Sequence, residues 1–293
     1  MSIVFNVLEI VAPVFILAAI GFAWIKLGFE YRIEFVTKMA MTLSVPCLIF
    51  VSLMKTRINP EALTATLLAT VVVYILITAI FLVLVKLFDL EVKSFWAPMI
   101  FSNTGNLGLP LALYAFGEIG LSYAIIIFAV MAVYSFSLGV WMVSGGGSPL
   151  KVVKEPIVWG TLLGAVFMVQ GWQTPTWMTN SLDLIGQLAI PLMLITLGVA
   201  LARLQAPSLG RAIWLSGLKF LICAGISLAV GRWMNLEPVA LAVLIVQFST
   251  PVAVTSYLLA QKYGANAEEV AGLVVVSTAL SILALPLLLG FLL

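Results

Sequence analysis

Two short stretches gather the polar groups that could hold a ligand. The first, FSNTGNLGLPLALYAFG at 101–117, places Asn103, Thr104, Gly105, Asn106, Gly108 and Pro110 within eight residues. The second, QFSTPVAVTSYLLAQKYG at 247–264, brings together Gln247, Ser249, Thr250 and Pro251, with Thr255 and Ser256 about one turn further on. These are neutral amides and hydroxyls beside glycine and proline, suited to hydrogen bonding rather than acid–base work. Glycine weakens a helix by roughly 1 kcal/mol and an interior proline by about 3 kcal/mol, whereas proline at the first helical position costs little. Each stretch therefore reads as a broken helix that restarts near its proline, with the Thr250 hydroxyl expected to cap the half-helix beginning at Pro251. A helix start presents unpaired N–H groups and a partial charge near +0.5, which attracts an anion without a buried base.

The elements around these stretches are apolar. The chain is 63% hydrophobic and 9% charged over 293 residues, with a mean hydropathy of +1.21. No soluble protein of this length covers such a surface with polar groups, so the chain reads as an all-α polytopic membrane protein. Runs long enough to cross the hydrocarbon core fall near 5–25, 35–54, 62–88, 95–117, 120–142, 156–172, 181–202, 209–232, 238–261 and 269–292. The N-terminal run lacks a basic n-region and is expected to be the first span rather than a cleaved leader. QGWQTPTW at 170–177 reads as an interfacial aromatic segment.

Basic residues orient the ten expected spans. Ten lie on connections after odd-numbered spans (Lys26, Arg32, Lys38, Lys86, Lys93, Lys151, Lys154, Arg203, Arg211 and Lys262), against Lys55, Arg57 and Arg232 on the other side. The bias puts the odd connections in the cytoplasm and both termini outside, in a multi-pass protein of the cytoplasmic (inner) membrane. SGGGSP at 144–149 interrupts the middle of the chain, and weak landmarks recur about 145 residues apart. Pro13 and Gly21 match Pro156 and Gly164, and LSVPCLIF around Pro46 matches LAIPLMLI around Pro191. The expected organisation is a first five-helix repeat at 1–143, a cytoplasmic linker at 144–155 and a second repeat at 156–293. An odd number of spans per repeat inverts the second half, the plan of many secondary transporters, with helices 4 and 9 broken and crossing.

These residues carry a resemblance. The pattern at 103–117, LSVPCLIF at 43–50, IPLMLITLG at 190–198 and STPVAVTSYLLAQKYG at 249–264 resemble the auxin efflux carrier family of membrane transporters, in order over nearly the whole chain. The resemblance implies ten helices in two inverted repeats and transport of small organic anions, auxin in plants and dicarboxylates in bacteria. The long hydrophilic central loop of the large plant carriers is missing, which points to a compact bacterial-type member.

Substrate binding is accordingly expected at Asn103, Thr104, Asn106, Gly108, Pro110, Gln247, Ser249, Thr250, Pro251, Thr255 and Ser256. Asparagine and glycine in a membrane helix also serve packing and interhelical hydrogen bonding. Pro46 and Pro191 either kink spans 2 and 7 around the site or shape packing. Gly160 and Gly164 read as a small-xxx-small helix contact. Lys219 is the ionisable residue nearest a span centre, a coupling residue by default, although its long stem could snorkel past Arg211 to the interface. Glu9 and Asp183 sit near span ends, where either could carry a proton. Cys47 and Cys223 read as small core residues, and with no histidine a metal site is not expected. No HExxH, GxSxG or Walker motif is present, so neither an enzyme nor a directly ATP-driven pump is expected. No cofactor is expected beyond sodium or proton coupling. The partners are a small organic anion and the bilayer, not nucleic acid; a homodimer is compatible with the sequence. The alternatives are a sodium-coupled symporter of the bile-acid type and a non-transporting membrane receptor.

Overall fold

A computed structural model of the chain describes residues 3–55, 58–144, 156–204 and 209–293. The expected linker at 144–155, apart from Ser144, lies outside the described residues. The described residues form helices joined by short loops, with no strand among them beyond one isolated β-bridge, Ser102 to Val252. The helices are α1 (Ile3–Lys26), α2 (Ile33–Met39), α3 (Val45–Lys55), α4 (Pro60–Leu87), α5 (Val92–Ile100), α6 (Leu109–Tyr134) and α7 (Val140–Ser144) in the first half. The second half holds α8 (Pro156–Gln170), α9 (Thr176–Gln187), α10 (Ala189–Arg203), α11 (Leu209–Trp233), α12 (Pro238–Ser249), α13 (Val254–Tyr263) and α14 (Ala267–Leu292). Single π-helical turns at Ala40–Ser44, Thr104–Gly108 and Ser135–Gly139 join α2 to α3, lead into α6, and join α6 to α7.

Among the described residues, seven continuous helical stretches are long and apolar enough to span a membrane: 7–26, 33–55, 61–87, 104–144, 176–203, 209–233 and 267–292. The count falls below the expected ten for local reasons. The helix inside 104–144 runs on through a kink at Gly117 (φ 65°, ψ −158°), so the second half of the expected fourth span and the whole fifth share one stretch. The expected sixth span is a short apolar helix, α8, and the expected ninth is split into α12 and α13. The segment at 170–177 ends α8 at Gln170, turns at Gly171 with φ 66°, and lets α9 begin at Thr176, five residues ahead of the expected 181.

Close packing rests on small residues. A Cβ on Gly160 would meet the Pro46 carbonyl at 2.8 Å, and one on Gly164 would meet Leu53 at 3.0 Å, so the small-xxx-small pair presses α8 onto α3. On the other side of the bundle, Cβ atoms on Gly21 and Gly198 would overlap the carbonyls of Ile195 and Ala18, which brings α1 onto α10. Pro46 follows the π turn at 40–44, and Pro191 follows the junction at Leu188 between α9 and α10. Both prolines thus sit at an irregularity of their span, and Pro46 also touches Gly160. The core between these pairs is filled by Tyr74, Phe101, Phe128 and Phe248, all fully buried around the two broken helices.

Candidate functional site: the helix crossing

Where α5 and α12 stop, their chains run extended and pair. Asn103 N–H donates to the Pro251 carbonyl at 2.7 Å, and Ala253 N–H donates to the Phe101 carbonyl at 3.0 Å. Val252 N–H, which faces away from that pair, donates to Ser277 Oγ on α14 at 3.0 Å. An unsatisfied peptide group inside a membrane costs several kcal/mol, and these bonds answer that cost at the break. Ser102 Oγ extends the pairing by donating to the Phe248 carbonyl at 2.9 Å.

The restart points differ from the sequence expectation. Thr250 does not cap the second half-helix. It ends α12 in an extended conformation (φ −63°, ψ 153°), as a residue before proline tends to, and its hydroxyl donates back to the Gln247 carbonyl at 2.7 Å. Pairing with 101–103 holds 251–253 extended, so α13 starts at Val254 with Ala253 before it. In the first half, helical structure resumes at Thr104, ahead of Pro110. The Asn103 carbonyl accepts from Leu107 at 3.2 Å and Gly108 at 3.1 Å, closing the π turn that continues into α6.

The crossing collects buried polar groups. Asn103 Nδ2, Thr104 Oγ1, Gln247 Oε1 and Nε2, and Ser249 Oγ are all buried and have no hydrogen-bond partner. Such groups cost about 1–3 kcal/mol each when left unpaired, which makes this cluster the candidate site. Gly108 belongs with them for steric reasons, because a Cβ there would overlap the Gln247 amide. Asn106 and Thr255 are half-buried near the two restarts, and Ser256 is buried on the first turn of α13.

Lys219 is the charged residue of this centre. It is only 2% exposed and does not snorkel: its ammonium donates to Ser102 Oγ at 2.6 Å and to the Thr250 carbonyl at 3.3 Å. The second bond places a cation at the C-terminal end of α12, where the helix dipole is negative. Cys223 lies one turn further along α11, fully buried as expected of a small core residue, while Cys47 is partly buried on α3. The other ionisable residues singled out lie elsewhere. Glu9 is exposed on α1, and Asp183 on α9 pairs with Lys55 Nζ at 3.1 Å.

Two cavities approach the crossing from opposite ends of the helical stretches 33–55 and 176–203. One, about 750 Å³, is lined by Lys55, Glu118, Asp183 and Pro191 and reaches Leu113 and Leu121. The other, about 630 Å³, is lined by Tyr31, Arg32, Arg203 and Tyr257 and reaches Val254 at the start of α13. Tyr31 donates to or accepts from Thr196 Oγ1 at 2.7 Å; burial raises its phenol above the ordinary range, and the hydroxyl contact offsets part of that rise. Neither lining includes Asn103, Thr104 or Gln247.

Sequence reasoning missed Ser102, Ser277 and Tyr74. Ser102 adjoins the Asn103 cluster and could have been read with it. Ser277 lies on α14 beside Thr278 and Ser281, and nothing in that run signals that it accepts from Val252 N–H. Tyr74 is fully buried with an unpartnered hydroxyl, its ring 4.7 Å from that of Phe248 between centroids.

This arrangement defines a class: a helical, multi-pass membrane protein whose centre is a hydrogen-bonded crossing of two discontinuous helices. The sequence profile described as "Membrane transport protein" matches residues 6–154 and 144–289. The chain belongs to that family, the auxin efflux carrier type of membrane transporter. It is 31% identical over 192 residues to an "Uncharacterized transporter" of Methanothermobacter thermautotrophicus, covering 63% of each chain. It is 26% identical over 217 residues to "Uncharacterized transporter MJ1031" of Methanocaldococcus jannaschii, covering 69% of each. The match thus spans somewhat less than two thirds of the first relative's length.

Proposed function

We propose that the protein is a secondary carrier that moves small organic anions, mono- or dicarboxylates, across the cytoplasmic membrane by alternating access. The observation that carries this reading is the crossing: two helix starts, at Thr104 and Val254, flank unpartnered polar groups with one buried ammonium beside them. An anion seated there would accept from the N–H groups of Gly105 and Asn106 and from those at the start of α13, with Asn103 Nδ2 as a further donor. Lys219 supplies the positive charge behind them. Thr250 acts through its carbonyl, and Pro110 and Pro251 act by shaping backbone.

The packing supports the proposed inverted repeats. α1 packs on α10 through Gly21, and α8 packs on α3 through Gly164, the glycine matched to Gly21 at a spacing of 143 residues. These are the contacts of spans 1 with 7 and 6 with 2, which exchange under the repeat. Lys219 follows Tyr74 by 145 residues, the spacing of Pro46 and Pro191, so one repeat brings an ammonium and the other a phenol to the centre. Grouping α2 with α3, α9 with α10, and each broken pair as one span gives ten crossings, with repeats at 1–143 and 156–293. The charge bias supports both termini outside. Alternating access would expose the crossing to the two cavities in turn.

Lys219 bears on coupling. Its ammonium sits on the Thr250 carbonyl and repels a second cation at this crossing, which favours a sodium-independent carrier over the bile-acid-symporter reading. The test is purified protein in liposomes with a panel of labelled carboxylates, with and without sodium or a proton gradient. Uptake of at least one carboxylate without sodium is expected. Uptake only of cations or neutral solutes would defeat the reading.

A further inference from the structure

A third cavity, about 260 Å³, opens between α11 and α14 on the outer flank of the bundle. Its floor is formed by Ser216, Lys219, Ser249 and Thr250, and its mouth by Leu283 and Leu287, which are 72% and 67% exposed. In a membrane protein such exposed leucines face lipid or another apolar partner. The floor has donors to spare. Ser216 Oγ and Ser249 Oγ are buried, 4% and 3% exposed as residues, and have no hydrogen-bond partner. The Lys219 ammonium carries three N–H groups, and Ser102 and Thr250 take two.

We propose that this cavity is a lipid-side binding site for an amphipathic monocarboxylic acid, whose carboxyl group meets Lys219, Ser216 and Ser249 and whose chain leaves past Leu283. A carboxyl group offers two acceptor oxygens, which matches two hydroxyls and one N–H. The volume equals roughly nine water-sized portions, room for a head group and the start of a chain. Depth selects the class of ligand. Lys219 lies ten residues from the start of α11 and fourteen from its end, about 15 Å and 21 Å along the axis. A phospholipid head group belongs at the interface and does not reach that depth, whereas a single-chain acid can enter the hydrocarbon in its neutral form. An acid bound there would take the N–H of Lys219 that Ser102 and Thr250 leave free, from outside the transport path.

Gly217 allows a clean test. It lines the cavity, its backbone is helical, and a Cβ built on it meets nothing within 4 Å, so a larger side chain can fill the space without clash. The experiment is equilibrium binding of labelled decanoate to the full-length protein in lipid nanodiscs, with butyrate and decanol as competitors. Decanoate should bind saturably, and neither butyrate (no chain) nor decanol (no carboxyl) should compete within tenfold. Gly217→Leu should weaken decanoate binding at least tenfold and leave binding of the short carboxylate found by the liposome panel unchanged. Ala284→Leu, also on the cavity wall, serves as the second filling variant should Gly217→Leu express poorly. Equal decanoate binding by parent and filled variants would overturn the proposal, as would decanol competing as well as decanoate. Because the readout is binding of decanoate itself, loss of this site and failure of the carrier reading are separately visible.

Discussion

Replacing Lys219 with methionine should separate charge from packing. Methionine keeps most of the stem volume and removes the ammonium that bonds Ser102 and Thr250. On the stability side, exchanging a buried ammonium held by neutral partners for an apolar side chain of similar size removes its desolvation penalty along with its two hydrogen bonds. Ser102 keeps its bond to the Phe248 carbonyl, so one orphan is left, the Thr250 carbonyl. Lys219→Met should therefore unfold at or slightly above the parent temperature. On the binding side, a carboxylate within about 8 Å of Nζ gains roughly 2 kcal/mol at an effective dielectric of 20. Losing that weakens anion binding roughly thirtyfold, at 1.4 kcal/mol per tenfold. Equilibrium binding of the transported carboxylate and a thermal melt on the same sample read both quantities. Unchanged affinity with a large loss of stability would make Lys219 a structural strut and refute the reasoning.

Gly108→Ala should cost about 1–3 kcal/mol by overpacking the buried Gln247 amide, read as a lower melting temperature; an unchanged melt would mean the amide has room to move. Ser102→Ala should destabilise by about 1–3 kcal/mol, and by clearly less in the Lys219→Met background, where no ammonium needs the oxygen; equal costs in both would deny the coupling. A reporter active only in the cytoplasm, fused after Leu293, should stay silent, and a strong signal would break the topology and the inverted repeat together. The contribution of Tyr31 to stability should be complete below pH 10.0, its ordinary phenol value, and fall away as the pH rises through its raised folded value, because the neutral phenol is the buried form; Tyr31→Phe should make the alkaline loss of stability shallower than in the parent.

The place of the two helix breaks was readable because breaking a membrane helix takes unusual residues. Gly105, Gly108 and Pro110 in one half, and Thr250 with Pro251 in the other, announce the breaks by local backbone chemistry alone. Where the helices restart was not readable. That depends on the pairing of 101–103 with 251–253, which holds Val252 and Ala253 extended and moves the second start from Pro251 to Val254. Thr250 had the right residue type for a cap, yet its hydroxyl found the Gln247 carbonyl on the helix it ends. Lys219 fails for a related reason. A long side chain near mid-span can turn to the interface or inward, and the deciding acceptor, Ser102, lies 117 residues away in sequence. The contacts of Gly160 and Gly164 were foreseeable, since small residues four apart on a helix have few other uses in a membrane.

The central claim, that the crossing binds an anion, is tested most directly at Asn106. This residue is half-buried on the turn that restarts the first broken helix, and aspartate there keeps its size while adding a negative charge at the helix start. Titrating the carboxylate identified by the liposome panel into purified parent and Asn106→Asp proteins of matched thermal stability gives the answer. Saturable binding by the parent and loss of at least tenfold in Asn106→Asp is the predicted result. Equal affinity in the two proteins would contradict it and leave the crossed helices as a hinge rather than a binding site.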